Sequence, residues 1–427
     1  MVPSIPIVAN RLNRCYNKNV KNSADRIIQW WVTDLESFAL AYIPSNDKNT
    51  KDNESKDLFS VKVNINLWTQ CGWDEETPVL DIGLMLSHLS DAQKIKLYLP
   101  FPVKKEELKD LCACLSKDAN LLGAVFNEPY TSTDITTTKR AVVTKGISGA
   151  TEFILYKLDF SSIDDVELSD YKNGRGTFLD FNPQVIKSSS KDNSCDKYYL
   201  RFRIQSKALK DCVREYQAPN RYFETLVNST YMIDMRFNNT RSMDLSLVQQ
   251  LTQNDCHLAP IEGLHFLLMS KVDVDVDANG SFTSSRVLEK DIWNKYVNLS
   301  DKEKRKTEDI IAYHHSSKKF KRDATGESEK GDIGSWEFFA RLKAGKCGPM
   351  TIIPYVLLLI LLNVISNLAF NILLTLLPQE TPTGPDVGVQ LKALAGLVVS
   401  FGTALILLNG KKLVAKLKTI IDILFVE

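Results

Sequence analysis

The residues with the strongest chemical signature are the acids of Asp275-Val-Asp277-Ala-Asn279-Gly280, which match the start of a calcium-binding EF-hand loop. Such a loop requires a bidentate Glu at its final position, and this sequence has Arg286 there, whose charge repels a metal ion. Asn279-Gly280 is also a strong signal for a tight turn. The motif therefore predicts a strand with an acidic outer face, followed by a turn, and does not predict a calcium site.

Two cysteines and a histidine pair are of the residue types that bind metals. Cys112 and Cys114 lack a second close pair of Cys or His residues, and Cys112 shares an apolar helical face with leucines, which favours core cysteines over zinc ligands. His314-His315 is not a metal site by itself. The sequence therefore predicts no metal and no cofactor.

Two other short motifs resemble parts of enzyme sites. Gly174-Arg-Gly176 lacks the third glycine of a dinucleotide-binding loop and predicts a turn before a strand. Asp170-Tyr-Lys172 has the acid and lysine spacing of some metal-dependent nucleases, but so short a pattern often arises by chance. No catalytic residue is predicted, so an enzyme is only an alternative function.

Length and charge set wider bounds on the function. The chain has 427 residues, which indicates more than one domain. Its 53 Lys and Arg against 52 Asp and Glu leave a formal net charge of +1, which argues against nucleic-acid binding through bulk positive charge. The eight cysteines have no close, regular spacing, which favours free thiols in a reducing compartment.

Two long apolar segments in the last part of the chain predict a membrane anchor. Residues 350–377 contain no charge, and about 20 such residues suffice to cross the hydrocarbon core. Residues 393–410 form a second uncharged run, and the outer loop at 378–386 between them is rich in proline. We therefore expect 350–410 to form a two-helix transmembrane hairpin, with the lipid membrane as a partner.

The flanking cations orient this hairpin. They precede the first span or follow the second, whereas the loop has neither Lys nor Arg; they are Arg341, Lys343, Lys346, Lys411, Lys412, Lys416 and Lys418. By the positive-inside rule both ends of the chain are cytoplasmic, as for a protein of the bacterial inner membrane. Residues 411–427 predict a basic amphipathic helix, either in the inner interface or docked on the cytoplasmic region.

The first predicted span carries a stripe of polar residues. It repeats every four residues and consists of Asn363, Asn367, Asn371 and Thr375, with Ser366 beside it. Because unpaired carboxamides in lipid are costly, we expect the stripe to face protein or water. The second span offers small and hydroxyl residues for close packing, namely Gly396, Ser400, Gly402 and Thr403. Either the stripe holds helices together, or several hairpins assemble with it around a polar path.

Residues 1–298 predict a cytoplasmic α+β region with a mostly antiparallel sheet. Alternating or short apolar runs predict strands at 61–67, 95–101, 140–144, 152–159, 176–181, 198–205, 232–237 and 264–276. Apolar residues at helical spacing predict helices at 23–42, 104–117, 207–216 and 245–252. The polar stretch at 187–195 is a candidate subdomain boundary.

Residues 299–346 differ in composition from the region before them. Their clustered charges predict a charged helix followed by a connector to the membrane. Trp336, Phe338 and Phe339 predict a juxtamembrane helix or an aromatic belt at the bilayer surface.

This layout predicts a membrane-anchored sensor or effector. The cytoplasmic region would recognise a signal or a partner protein, and its rearrangement or homo-oligomerisation would change the hairpin and permeabilise the membrane. In arrangement, though in no motif, the chain resembles the membrane-disrupting effectors of bacterial antiviral systems. The alternatives are a membrane-tethered scaffold or interaction protein, and an enzyme tethered to the inner face.

Overall fold

The computed structural model describes residues 36–45, 59–69, 77–135, 138–146, 149–187, 195–216, 228–253, 255–298, 309–322, 328–331 and 333–345, together with 360, 363, 364, 366 and 367. These residues are mostly β-strand with few helices, which confirms the α+β prediction for this part of the chain.

The strands are numbered in chain order. The first ten are β1 (Ala39–Pro44), β2 (Ser60–Trp68), β3 (Val79–Ser87), β4 (Ala92–Leu99), β5 (Leu108–Asp110), β6 (Tyr130–Asp134), β7 (Arg140–Lys145), β8 (Thr151–Tyr156), β9 (Val166–Tyr171) and β10 (Gly176–Phe181). The others are β11 (Lys197–Ile204), β12 (Val213–Tyr216), β13 (Asn228–Phe237), β14 (His257–Leu258), β15 (Ile261–Lys271), β16 (Asp275–Asp277), β17 (Ser284–Val287), β18 (Ile310–Arg322), β19 (Ser328–Gly331) and β20 (Trp336–Gly345).

The helices of the described β-rich part of the chain are short. They are α1 (Cys112–Leu115), α2 (Ala119–Phe126), α3 (Pro183–Ile186), α4 (Leu245–Thr252) and α5 (Lys290–Val297). Single 3₁₀ turns lie at Leu89–Asp91, Lys105–Glu107, Lys207–Asp211 and Thr240–Ser242. Residues 360, 363, 364, 366 and 367 are also helical.

The described strands form three sheets. The large sheet has the order β17-β18-β15-β2-β3-β11-β8-β7-β6, with β19 beside β18 and β5 beside β11. The five-stranded sheet has the order β14-β1-β4-β10-β9, and the four-stranded sheet has the order β12-β13-β20-β16. Only the pairs β2 with β15 and β8 with β11 are parallel among these strands, so the predicted antiparallel character is confirmed here.

Alternation along β2 divides the large sheet into two faces. Val63 and Ile65 are buried in the main core, where the large sheet packs against the other two sheets. Burial of such a side chain stabilises the fold by about 1.5–3 kcal/mol. The intervening Lys62, Asn64 and Asn66 lie on the opposite side, which we call the outer face.

Three helices cover part of this outer face. Helices α1, α2 and α5 pack on it around a second buried cluster that includes Trp68, Tyr199 and Trp293. The Asp118 carboxylate caps α2 by accepting the backbone N–H of Asn120 at 3.0 Å, and Lys295 of α5 contacts the same carboxylate at 2.9 Å. This shared carboxylate joins α2 to α5 over the sheet.

The structure corrects the helix expected at 23–42 where that segment is described. Residues Ala39–Pro44 form β1, which pairs with β4 and β14. The run from Phe38 to Ala41 is buried, and so short an apolar run fits a buried strand as well as a helix. Pairing with two neighbouring strands decides between them.

Two other expected helices are also largely wrong. In the segment 104–117, residues Leu108–Asp110 form β5 on the edge of β11, and only α1 is helical beyond it. In the segment 207–216, a 3₁₀ turn leads into β12. Tertiary strand pairing overrides local helical spacing in both segments. The strand expected at 264–276 is interrupted between β15 and β16.

The charged helix, connector and juxtamembrane helix expected within 299–346 are wrong for the described residues. Residues Ile310–Arg322 form β18, which pairs with β15 and β17, and Trp336–Gly345 form β20, which pairs with β13 and β16. Alternate residues of β20 are buried, beginning with Trp336 and Phe338, whereas Phe339 is exposed. The aromatic residues therefore belong to a central strand.

Other predicted elements are confirmed. The strands expected at 61–67, 176–181 and 198–205 correspond to β2, β10 and β11, and the helix expected at 245–252 is α4. Within the described part of the chain, no helix combines the length and apolar character that a membrane span needs. Several predictions lie outside the described residues: most of the first predicted span at 350–377, the loop at 378–386, the second span at 393–410, the tail at 411–427 and most of the boundary at 187–195.

The strand assignment of β20 predicts that the same substitution changes stability very differently at two adjacent positions. Ala340 is fully buried, so Ala340→Glu should lower the free energy of unfolding by about 3–5 kcal/mol, as an unpaired buried charge does. Phe339→Glu places the same charge on the exposed face and should change it little. Urea unfolding followed by tryptophan fluorescence measures both variants, and equal effects would contradict a strand at these positions.

Candidate functional site

The candidate site is a cavity on the outer face of the large sheet, which we call the sheet pocket. Its floor comes from four strands that the register aligns: Asn64 of β2 lies opposite Gly83 of β3 and His265 of β15, and Gly83 lies opposite Arg201 of β11. His314 of β18 completes the floor beside β15. The cavity has a volume of about 600 Å³.

The side chains that line the sheet pocket are mainly of three kinds. Its cations are Lys62, Lys197, Arg201 and Arg286, and its aromatic residues are Phe126, Tyr130, Phe153 and Trp293. Neutral polar residues include Asn64, Asn66, His265 and His314. The single acid in the lining is Glu152. The pocket is therefore cationic, although the chain as a whole is nearly neutral.

A buried ion pair next to Gly83 and Arg201 in the strand register fixes α5 to the sheet. Arg203 and Asp81 are both fully buried, and Arg203 donates Nε to Asp81 Oδ1 at 2.7 Å and Nη2 to Oδ2 at 3.1 Å. Arg203 Nη1 also donates to the carbonyl of Val297 at the end of α5, at 2.9 Å. Trp68 donates its indole N–H to the same carboxylate at 3.0 Å. The hydrogen bonds of Arg203 and of Asp81 each involve a charged group, so they are stronger than bonds between neutral groups.

Opposing effects act on the ionisation of Asp81. Burial favours the neutral acid and by itself raises the pKa, but the charge of Arg203 and its hydrogen bonds lower it, with a smaller contribution from Arg201. The net result holds the pKa of Asp81 below its usual value. The carboxylate is thus charged at neutral pH and neutralises one guanidinium.

Arg201, in contrast, is held by neutral acceptors. It is 1% exposed, and it donates Nε to the hydroxyl of Tyr296 at 2.7 Å and Nη1 to the hydroxyl of Tyr199 at 2.8 Å. With the Asn66 amide turned so that its oxygen faces the guanidinium, Nη2 donates to it at 2.6 Å. Burial raises the pKa of both tyrosines, which keeps their hydroxyls neutral. An arginine has more N–H donors than these three, so the fork can also bind a ligand.

Within the described residues, the outer face therefore buries two guanidinium groups beside one carboxylate. The ring of Tyr296 lies 5.6 Å from Arg201 and 5.0 Å from Arg203, so it offers both a cation–π contact. Such contacts spread the charge but do not neutralise it. A buried charge is costly unless it is paired, so an anion in the sheet pocket would be bound favourably.

Gly83 makes this arrangement possible. A Cβ atom at this position would lie 2.9 Å from Cζ of Tyr199 and 3.1 Å from Nη1 of Arg201. The absent side chain thus leaves space for the Tyr199 ring to lie across β3 and reach Arg201. Sequence reasoning gave this glycine no role.

Two histidines pack against each other in the floor. The rings of His265 and His314 are stacked, with centroids 5.4 Å apart and planes at 12°, and His265 Nδ1 lies 3.1 Å from His314 Nε2. One nitrogen donates and the other accepts, according to the tautomers. His315, the next residue on β18, lies on the other face of the sheet against Trp336 and Phe338 of β20.

The structure describes only part of the polar stripe predicted in the first span. Asn363, Ser366 and Asn367 are helical, and Asn367 Nδ2 lies 3.5 Å from Asn363 Oδ1, which agrees with their spacing of four residues. Asn371 and Thr375, and the packing residues Gly396, Ser400, Gly402 and Thr403, lie outside the described residues.

Of the predicted membrane-surface cations, the structure describes only Arg341 and Lys343. Arg341 forms an ion pair with Asp277 of β16, and Lys343 lies opposite Asp275 in the register of β20 and β16. Lys346, Lys411, Lys412, Lys416 and Lys418 lie outside the described residues.

The other sequence motifs have structural positions outside the sheet pocket. Asp275 and Asp277 lie in β16, and Asn279 and Gly280 turn the chain at φ values of 50° and 75°, so a strand and turn account for the EF-hand motif. In the described ranges, no group of three or more His, Cys, Asp or Glu is arranged to hold a metal ion.

Cys112 is a core residue of α1, as the sequence predicts, and burial raises its pKa. Gly174 turns the chain before β10 at a φ of 89°. Asp170 and Lys172 have separate partners, because Asp170 accepts the backbone N–H of Gly174 and Lys172 pairs with Asp244. These two side chains are therefore held by different groups.

The residues of the sheet pocket were missed by sequence reasoning. Alternation places Lys62, Asn64 and Asn66 on the polar face of a half-buried strand, but it does not show what that face contacts. The more useful signal was Asp81, an acid inside the apolar run of β3, because a buried carboxylate requires a cationic partner. Arg201 and Arg203, two positions apart in β11, were the candidates for that partner.

No protein-family model matches this chain, and none of the curated proteins is similar to it.

The ion pair of Asp81 and Arg203 predicts a specific dependence of stability on pH. Because folding lowers the pKa of Asp81, its contribution is complete above the unfolded-state value of about 3.9 and is lost as the pH falls through the folded value. Asp81→Asn leaves Arg203 buried without a carboxylate, so at about pH 7 it should lower the free energy of unfolding by about 3–5 kcal/mol.

This difference between the wild type and Asp81→Asn should shrink as the pH is lowered toward about 3. Urea unfolding at a series of pH values measures it, with Asp211→Asn as an exposed control. A difference that stays constant with pH would contradict the assigned role of the carboxylate.

Proposed function

We propose that the β-rich region is a sensor domain that binds a small, multiply charged anion in the sheet pocket and thereby controls a membrane hairpin formed by residues 350–410. The observation that carries this proposal is Arg201, a fully buried guanidinium whose described hydrogen-bond acceptors are all neutral.

The charge of the pocket favours an anion over a neutral ligand. Four cationic Lys and Arg side chains and one carboxylate line it, which leaves a net charge of about +3 from these groups. Glu262 lies 3.6 Å from Lys62 at the rim and offsets part of this charge. A ligand of charge −2 or −3 would neutralise the remainder, and its bonds to guanidinium and ammonium groups would be charge-assisted.

The path from the pocket to the predicted membrane segment is short. His314 of β18 lies in the pocket floor, while its neighbour His315 lies 5.6 Å, centroid to centroid, from Phe338 of β20. Phe266 of β15 is 4.5 Å from the same ring. Strands β15 and β18 therefore contact the ligand site on one face and β20 on the other.

Strand β20 would transmit the change to the membrane. It ends at Gly345, and the first predicted span begins at Met350, five positions later. A shift of β15 and β18 on ligand binding would repack Phe266 and His315 against β20 and so move the start of the hairpin. This is a two-state coupling, which requires the anion to bind one arrangement more tightly than the other.

The hairpin is the part of the proposal that rests on sequence alone. Its two apolar runs, its cation-free loop and its Asn stripe support an inner-membrane hairpin that assembles in several copies and permeabilises the membrane. The layout of a sensor joined to such a hairpin is similar to that of membrane-disrupting effectors in bacterial antiviral systems. A membrane-tethered scaffold would need the hairpin only as an anchor.

We expect the full chain, purified in detergent, to bind pyrophosphate in the sheet pocket. Lys197→Met removes a cation of the lining and should weaken binding about five- to tenfold, or about 1–1.4 kcal/mol. Lys207→Met removes an exposed lysine elsewhere and should leave binding unchanged. Isothermal titration calorimetry measures the pyrophosphate affinity of the wild type and of both variants. The absence of binding to the wild type, or equal losses in both variants, would contradict an anion site here.

The Asn stripe predicts a separate result in cells. Overproduction of the full chain should depolarise the inner membrane, and replacing Asn363, Asn367 and Asn371 with Leu should abolish this effect without preventing membrane insertion. A potential-sensitive dye and membrane fractionation measure the two properties. If the triple variant depolarises the membrane as the wild type does, the stripe does not line a polar path. If the wild type itself causes no depolarisation, the scaffold interpretation is favoured.

A further inference from the structure

The sheet pocket combines cationic groups with an aromatic wall, and the proposed function uses only the cations. The wall consists of Phe126 of α2, Tyr130 of β6 and Phe153 of β8. We infer that the anion recognised by this pocket is a nucleotide, with its phosphate groups on the cations and its base against the aromatic wall. This inference rests on the proposed anion site and adds the class of ligand.

The aromatic wall is a continuous cluster. The ring centroids of Phe126 and Phe153 are 4.8 Å apart, those of Tyr130 and Phe153 are 5.5 Å apart, and Tyr199 lies 4.8 Å from Phe126. Phe153 and Tyr199 are buried, whereas Phe126 and Tyr130 are half-buried. The base of the wall is thus rigid, and its two outer rings retain accessible surface for contact with a flat ring. Stacking on such rings suits any base, because every base has a π-face.

Neutral hydrogen-bonding groups also line the sheet pocket. Asn64 in the floor and Asn127 at the end of α2 each offer a carbonyl acceptor and an amide donor. These are the groups that read the edges of nucleobases, which carry both donors and acceptors. Asn64 also hydrogen-bonds the side chain of Tyr199. A purely apolar aromatic anion would not use the remaining hydrogen-bonding groups of these two amides.

Size and charge exclude simpler anions as the matched ligand. The volume of about 600 Å³ corresponds to about 20 water molecules, so inorganic phosphate would leave most of the pocket filled with water. An aromatic monocarboxylate fills more space but carries one charge against the pocket's net charge of about +3. A nucleoside diphosphate supplies the ring, the polar edge and the matching charge together.

A free nucleotide fits these observations better than a nucleic-acid strand. The chain has a net charge of +1 and therefore lacks the excess of cations with which nucleic-acid proteins track a phosphate backbone. The cations of the pocket converge on one cavity. A single-stranded oligonucleotide is the competing ligand, and the experiment below includes it.

The experiment compares ligands that share one part of the nucleotide. Isothermal titration calorimetry on the full chain in detergent measures the affinities for ADP, GDP, CDP and UDP, and these are compared with the affinities for pyrophosphate and adenosine. We expect the best nucleoside diphosphate to bind at least about tenfold more tightly than pyrophosphate, as one stacked base contributes, and adenosine to bind more weakly than either.

Two aromatic variants locate the base. Phe126→Leu keeps an apolar side chain but removes the ring, so it should abolish the advantage of the nucleotide and leave pyrophosphate affinity unchanged. Phe339→Leu, which changes a ring 49% exposed on β20, is the matched control and should change neither affinity.

The outcomes separate this inference from the proposed function. If pyrophosphate binds as tightly as all four nucleotides, the anion site stands and the nucleotide inference is overturned. If neither binds, both fall. If a single-stranded decamer binds more than tenfold more tightly than the best nucleotide, the pocket is part of a nucleic-acid site and the inference is also overturned.

Discussion

The structure depends on two buried arginines of which only one is paired with a buried carboxylate. Asp81 neutralises Arg203 through two hydrogen bonds, and this pair fixes the end of α5 to the large sheet. Arg201, on the same face, is surrounded by Tyr199, Tyr296 and Asn66, which satisfy hydrogen bonds without supplying charge. Burying charge in this way does not maximise stability, since apolar side chains of similar volume often stabilise a core as well or better. The proposed anion site would account for the second guanidinium on this sheet.

This constraint links the fold to the site. The inner face of the large sheet is apolar and supplies the main core, so it leaves the outer face free to carry polar residues. Helices α1, α2 and α5 cover one part of that face, and the sheet pocket lies beside them. The same sheet contacts β20 through its inner face. A ligand on the outer face and a membrane segment beyond β20 would therefore act on opposite sides of one layer, which is the physical basis of the proposed coupling.

The sequence predicts the strands of this fold better than its helices. The alternation in 61–67 and the helical spacing in 245–252 were sufficient to predict β2 and α4. One face of each element is buried, so apolar residues recur with the period of a strand or a helix. The same spacing argument failed at Leu108 and at Ala39, where pairing with a distant strand decided the local structure. The period of two in Trp336, Phe338 and Ala340 was present but was attributed to a membrane surface. The pocket could not be predicted because Arg201, Asn64 and His265 meet only through long-range register.

The most direct test of the account is to locate the counter-charge of Arg201. Crystals of the full chain grown with tungstate, a heavy divalent oxyanion, would show its position by anomalous scattering. We expect a tungstate peak in the sheet pocket, within hydrogen-bond distance of the Arg201 guanidinium. A pocket without such a peak, in which a carboxylate of the chain itself pairs with Arg201, would show that the charge is structural and would contradict the anion site.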